Sequence, residues 1–168
     1  MHQDTDYAAP GHRRIGGQLL IRSEDGDVLL VRPSYKPGWI VPGGGAKPGE
    51  GASAAARREA REELGLDIEP QRLLVVDHVE ADPETGSVEG FNFVFDGGTL
   101  PEQALGKISL PEAPEGEESE LSSFAFVHPD WLHAHCQPYH HRRIAAALAV
   151  LQGESGAQYL ESGSPPRS

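Results

Sequence analysis

The chain holds no pair of cysteines. Cys136 is the only one in 168 residues, so an intrachain disulfide is excluded and nothing suggests secretion. No apolar run approaches the length needed to cross a bilayer. The opening MHQDTDYAAPGHRR lacks the apolar core of a signal segment. Positive charge is also scarce, with 14 Lys and Arg against 26 Asp and Glu, for a formal net charge of −12. That balance disfavours a surface that coats nucleic acid, although bound metal can offset carboxylates locally and leave nucleotides open as ligands. No internal repeat is visible. These absences leave one expectation, a soluble, cytoplasmic protein of a single domain with enough residues to bury a sizeable core.

The most informative stretch is GGAKPGEGASAAARREAREELGL, residues 44–66. Ser53 to Leu64 is rich in Ala, Arg, Glu and Leu and predicts a helix, with Gly65 placed for a left-handed C-cap. Ala56, Ala60 and Leu64 recur every four residues as a narrow apolar stripe suited to close packing. Glu59, Glu62 and Glu63 share another face at i, i+3 and i+4. Like charges so spaced repel unless neutralised, and three carboxylates suit a hard divalent cation such as Mg2+. Gly43, Gly44 and Gly45 permit tight turns and let a backbone carbonyl reach a metal. On its own, REAREE also fits a solvated helix whose glutamates pair with Arg57, Arg58 and Arg61. The glycine loop and Glu50 at matching spacing favour the metal site instead.

Gly44, Glu50, Arg58, Glu59, Glu62, Glu63 and Gly65 fall at the fixed positions of G-x5-E-x7-R-E-U-x-E-E-x-G-U, with Ala60 and Leu66 at the aliphatic ones. Such a match arises by chance with odds of about 10⁻⁶. The stretch resembles the Nudix box of Nudix hydrolases, and Trp39 to Gly44 also looks like the usual approach to that box.

Elsewhere, Arg14 to Ile21 and Val28 to Val31 predict a hairpin about the turn at 23–27, and 39–42 a short strand. Gln71 to Val79 and Val88 to Phe95 predict two antiparallel strands around a turn at 81–87 that holds Pro83. The segment 104–111 could include a short strand. Glu112 to Glu120 is an acidic loop, and Leu121 to Val127 a last strand. Pro138 to Gln152 predicts an amphipathic helix with Ile144, Leu148 and Leu151 inward. Residues 1–12 and 153–168 are expected to be a flexible arm and a flexible tail around a domain at 13–152. His133, His135, Cys136, His140 and His141 are zinc-type residues, but they lack a cysteine pair and a continuous helix spacing, so surface polarity is the expected reading.

The element order is α+β. The resemblance implies a Nudix-type α/β/α sandwich with a mixed sheet and the box as loop–helix–loop. It also implies Mg2+-dependent cleavage of a nucleoside diphosphate derivative by water attack on phosphorus, with Mn2+ able to substitute. By motif position, Glu59, Glu62, Glu63 and the Gly44 carbonyl are the metal ligands, Arg58 orients Glu59, and Glu50 supports the loop. The general base is a box glutamate or one from the acidic loop, with Glu117 or Glu118 favoured over Glu120. Arg32 and Lys36 are candidates for substrate phosphates, solvated loop charges being an equal alternative, and Phe91 and Phe93 for a base, although core packing is the favoured reading of the phenylalanines. A small nucleotide derivative is the expected partner, with no membrane, no nucleic acid, and homodimerisation allowed. A Nudix-fold sensor without turnover and an RNA 5′-end pyrophosphohydrolase are the alternatives, the net charge counting against the latter.

Overall fold

The computed structural model describes residues 12–84, 86–153 and 156–166. The expected arm at 1–12 therefore lies outside the described residues except for His12. A mixed sheet of seven strands forms the middle layer. Its strands are β1 (Arg14–Ser23), β2 (Val28–Pro33), β3 (Gly43–Gly45), β4 (Leu73–Val79), β5 (Gly90–Leu100), β6 (Leu121–Val127) and β7 (Gln158–Glu161). The order is β6-β2-β1-β5-β4-β7, with β3 paired to β1. The β1–β5 and β4–β7 pairs are parallel and the others antiparallel. Among the described residues four α-helices, α1 (Ala52–Leu64), α2 (Glu102–Leu105), α3 (Leu132–His135) and α4 (Pro138–Gln152), and a short 3-10 helix at Pro129–Trp131 accompany the sheet. The α+β class read from the element order and the sandwich with a mixed sheet implied by the resemblance are the observed architecture.

Strand alternation assigns the two faces. Leu19 and Ile21 of β1 and Leu29 and Val31 of β2 pack with Ala56, Ala60 and Leu64 of α1. Leu20, Val28 and Leu30 point the other way, into a cluster with Ile144, Ala147 and Val150 of α4. The alanine stripe of α1 permits a very close approach to the sheet. A Cβ on Gly17 would lie 1.9 Å from the Ala52 carbonyl oxygen and 2.8 Å from the Ala56 nitrogen. Only a residue without a side chain fits there, and this fixes the start of α1 over β1. The helix ends where expected, at Gly65, whose φ of 69° lets its N–H cap the carbonyls of Ala60 and Arg61.

Three local expectations are corrected. Residues 39–42 contribute only an isolated bridge, Ile40 to Val31, and the strand proper forms on the glycines after them. The segment 104–111 holds no strand; α2 ends at Leu105 and irregular chain follows. The tail expected to be flexible instead supplies β7, parallel to β4, with Leu160 buried in the α4 cluster. Asp77 holds this end in place by accepting a 3.0 Å hydrogen bond from the Gly163 N–H.

Candidate functional site

The glycine loop and α1 bring the box residues together around Arg58. Its Nε and Nη2 donate to the two oxygens of Glu50, both at 2.9 Å, a bidentate clamp across eight residues. Its Nη1 donates to Glu59 Oε1 at 2.7 Å and to Glu62 Oε2 at 2.9 Å, and its Nη2 also reaches the Gly45 carbonyl at 2.9 Å. One guanidinium thus ties the loop, two helix carboxylates and the strand before the loop into a single unit. Glu50 also accepts from the Lys47 N–H, and the Arg58 hydrogen bonds, then that backbone bond, hold its carboxyl at about 2. Gly44 is glycine for a visible reason. A Cβ there would lie 2.6 Å from the Glu59 carboxyl carbon, so the carboxylate rests against bare backbone.

Glu63 faces away from Arg58 and accepts a 2.9 Å hydrogen bond from the Gly43 N–H. Burial, opposed by that hydrogen bond, pushes its carboxyl up to about 8, and the neighbouring charges of Glu59 and Glu120 add to the shift. Glu120, exposed like Glu117 and Glu118, is the acidic-loop carboxylate whose charge adds to the shift at Glu63. Pairing explains the selection. Ser34 donates from its N–H to the Glu120 carbonyl at 2.9 Å and from its Oγ to the Ser119 carbonyl at 2.6 Å, fastening the end of the loop beside Tyr35 and Lys36.

A cleft of about 890 Å³ opens beside Gly43, Gly44 and Gly45 on the α4 side of the sheet. Lys36 lines it, as expected of a substrate-binding residue, together with Arg14, Asn92, Arg143 and His140. Arg32 does not; it is exposed on β2 beside a separate shallow depression. Phe91 and Phe93 do not line it either. They alternate with Asn92, share the face of Phe95, which packs in the α1 cluster, and pair with His78, Gly17 and Val76 instead. The side chain between them is the one that reaches the cleft.

The donors offered to a metal are all oxygens, and burial first, with the charges of Glu59 and Glu120 adding to it, favours a proton on Glu63. This is the chemistry a hard divalent cation relieves, so the residues present fit Mg2+. Among the described residues no three His, Cys, Asp or Glu groups converge as a ready cluster. Glu59 and Glu62 turn to Arg58, and Glu63 turns to Gly43. Of the zinc-type residues, Cys136 is buried in the α4 cluster and His140 is buried against the cleft, while His133 is exposed and His135 and His141 are half-buried. Arg14, Asn92, Gln18, His140 and Arg143 carried no motif. Only their alternation on β1, β5 and α4 places them on one wall, and that is readable only once the sheet order is known.

Comparisons with known proteins agree with this geometry. Diphosphoinositol polyphosphate phosphohydrolase 3-alpha of Homo sapiens is 41% identical over 85 residues, 49% of this chain and 52% of that one. Diphosphoinositol polyphosphate phosphohydrolase 2 of Rattus norvegicus is 44% identical over 75 residues, 44% of this chain and 42% of its own. The chain thus aligns with about half the length of the curated relatives it matches. Among solved structures, the NUDIX domain of Shewanella oneidensis NrtR complexed with ADP ribose superposes with a TM-score of 0.65 at 16% identity, covering 88% of this chain and 94% of that one. At that identity the likeness is one of fold. Residues 12–148 match the model of the NUDIX domain, and with most of the chain inside that match, the protein belongs to the NUDIX family.

Proposed function

We propose that the protein is a Mg2+-dependent pyrophosphohydrolase that cleaves the diphosphate linkage of a small-molecule derivative by water attack on phosphorus. The observation that carries this reading is the Arg58 unit, which holds Glu50, Glu59, Glu62 and the Gly45 carbonyl together at the mouth of a cation-lined cleft. A purely structural helix has no use for a buried Glu63 carboxyl set within reach of the charges of Glu59 and Glu120. The names of the relatives support the same bond type. Diphosphoinositol polyphosphates and ADP ribose are both diphosphates linked to another moiety.

Glu59, Glu62, Glu63 and the Gly44 carbonyl are the groups that would hold the metal. When bound, it neutralises the diphosphate and makes the attacking water more acidic. Arg58 orients Glu59 and Glu62, and Glu50 fixes Arg58 in turn. The Gly43 N–H fixes Glu63. Glu120 is taken as the loop carboxylate that accepts the proton from water, a role supported by the effect of its charge on Glu63. Lys36 supplies positive charge to the departing phosphate from the cleft wall.

The test is a panel of diphosphates incubated with Mg2+ or Mn2+ and read by identifying both products. It should include ADP-ribose, nucleotide sugars, (deoxy)nucleoside triphosphates and a diphosphoinositol polyphosphate. The reading requires metal-dependent cleavage between the two phosphorus atoms of at least one compound. Binding across the panel with no cleavage product would mark a sensor instead.

A further inference from the structure

The two edges of the sheet are finished differently. β7 is four residues long, ends on Glu161, and is closed by its own continuation. The Glu161 N–H donates to the Ser164 carbonyl at 2.7 Å, and the Ser164 N–H returns to the Glu161 carbonyl at 3.0 Å. β6, at the opposite edge, is seven residues long, and its LSSFAFV contains no charge, proline or glycine. Those are the residues that ordinarily keep an exposed edge from pairing. Among the described residues only β2 is paired to it.

The register shows which backbone groups are left over. Val31 of β2 directs its N–H and C=O to Ile40, in bonds of 2.8 and 3.0 Å on the side away from β6. Val31 lies opposite Phe124, so these two residues exchange no hydrogen bond, and the Phe124 N–H and C=O point outward as well. By alternation the same holds for Phe126. Among the described residues nothing outside β2 is hydrogen-bonded to the backbone of β6 from Ser123 to Val127. The rings of Phe124 and Phe126 pack against the α1 cluster yet are only half-buried. The edge thus offers free backbone donors and acceptors and partly covered aromatic rings on the same residues.

We propose that β6 pairs edge to edge with β6 of a second copy of this chain, antiparallel about a two-fold axis at Phe124. A two-fold contact needs a segment that complements itself when reversed. Counting outward from Phe124, Ser123 falls opposite Ala125 of the second copy, Ser122 opposite Phe126, and Glu120 opposite His128. The middle of the strand is uncharged and its two ends match. The His128 Nδ1 accepts from the Asp130 N–H at 3.2 Å, so the ring proton is on Nε2, where a carboxylate can take it as a donor. Moving the axis by one residue sets Glu120 against Asp130 in one direction and against Phe126 in the other, so charge selects the register. At the axis the two Phe124 rings meet on the α1 side, an aromatic cross-strand pair. The net charge of −12 on each copy opposes association at long range, but salt at physiological strength screens it beyond about 8 Å.

The test is sedimentation equilibrium of the full chain over about 1–100 µM. A reversible dimer is expected, at twice the 18.1 kDa mass of the chain. Phe124→Glu brings two like charges together at the axis and should weaken association by about 10-fold or more, as should Phe124→Lys alone. An equimolar mixture of the two variants should recover the dimer, which a loss of folding would not allow; thermal melts show whether each variant is folded. On the native chain, amide hydrogen exchange at Phe124 and Phe126 should slow as concentration rises over the same range, a reading that needs no variant. Four results would overturn the pairing: a monomer throughout, a dimer left intact by Phe124→Glu, no recovery on mixing two folded variants, or exchange at Phe124 and Phe126 independent of concentration. The last, with both amides protected, would mean that another part of the same chain covers the edge.

Discussion

At the scale of single residues, charge is distributed unevenly within the box. Arg58 satisfies Glu50, Glu59 and Glu62 at once, so the i, i+3, i+4 repulsion expected on that face is largely removed before any metal arrives. Glu63 receives no such help. Its carboxyl takes up a proton at about 8 in the folded chain, against about 4.5 for the ordinary group, with burial the main cause. Between those values the folded chain binds more protons than the unfolded one, so this carboxyl costs stability as pH rises through 8. In metal-free buffer, Glu63→Gln should therefore raise Tm at pH 8 by several degrees and change it little at pH 4.5, as read by thermal melts. The same melts with added Mg2+ should show a rise for the native chain and a smaller one for the variant. Helical spacing made the grouping of these glutamates legible in the sequence. It could not pick Glu120 from the acidic loop, because that choice depends on the hydrogen bonds from Ser34, some 86 residues away.

At the scale of elements, α1 lies close to the sheet because both surfaces are small. Ala55, Ala56 and Ala60 are fully buried on the helix, and Gly17 lies beneath them on β1. Ala60, smaller than the usual aliphatic residue at its motif position, is thus matched to its neighbour. Gly17→Ala places a methyl group against backbone atoms that cannot rotate away. It should cost at least about 2 kcal/mol in urea unfolding, whereas Gly106→Ala, with nothing near its Cβ, should stay within about 0.5 kcal/mol of native. The length and type of α1, α4, β4 and β6 were legible because each carries a strong period or an apolar run. The roles of Phe91 and Phe93 were not. Alternation separates them from Asn92, but which face of β5 meets the cleft depends on where α4 docks. β7 was hidden as well, because Leu160 is the only buried side chain in QYLE.

At the scale of the whole molecule, the wall of the cleft is held by one buried ion pair that joins three distant parts of the chain. Asp77 on β4 accepts from Arg143 on α4 and from the Gly163 N–H after β7, and none of the three is exposed enough for water to replace a lost partner. Removing the carboxylate leaves a buried guanidinium uncompensated, so Asp77→Ala should cost about 3–5 kcal/mol in equilibrium unfolding. Asp77→Leu combined with Arg143→Met should recover most of that loss, because no isolated charge remains. No described helix is long and apolar enough to cross a membrane, and the box and cleft are assembled from one sheet and its two covering helices. The account as a whole rests on the glutamates of α1 acting as the metal site for diphosphate cleavage. The most direct measurement is the Mg2+-dependent rate on the best panel substrate for the native chain, Glu59→Gln, Glu62→Gln and Glu63→Gln, with Glu117→Gln/Glu118→Gln as the exposed acidic control. The account predicts a loss of about 100-fold or more in kcat for Glu59→Gln and Glu63→Gln, a substantial loss for Glu62→Gln, and a near-native rate for the control. Full activity in all three box variants, each folded, would contradict it.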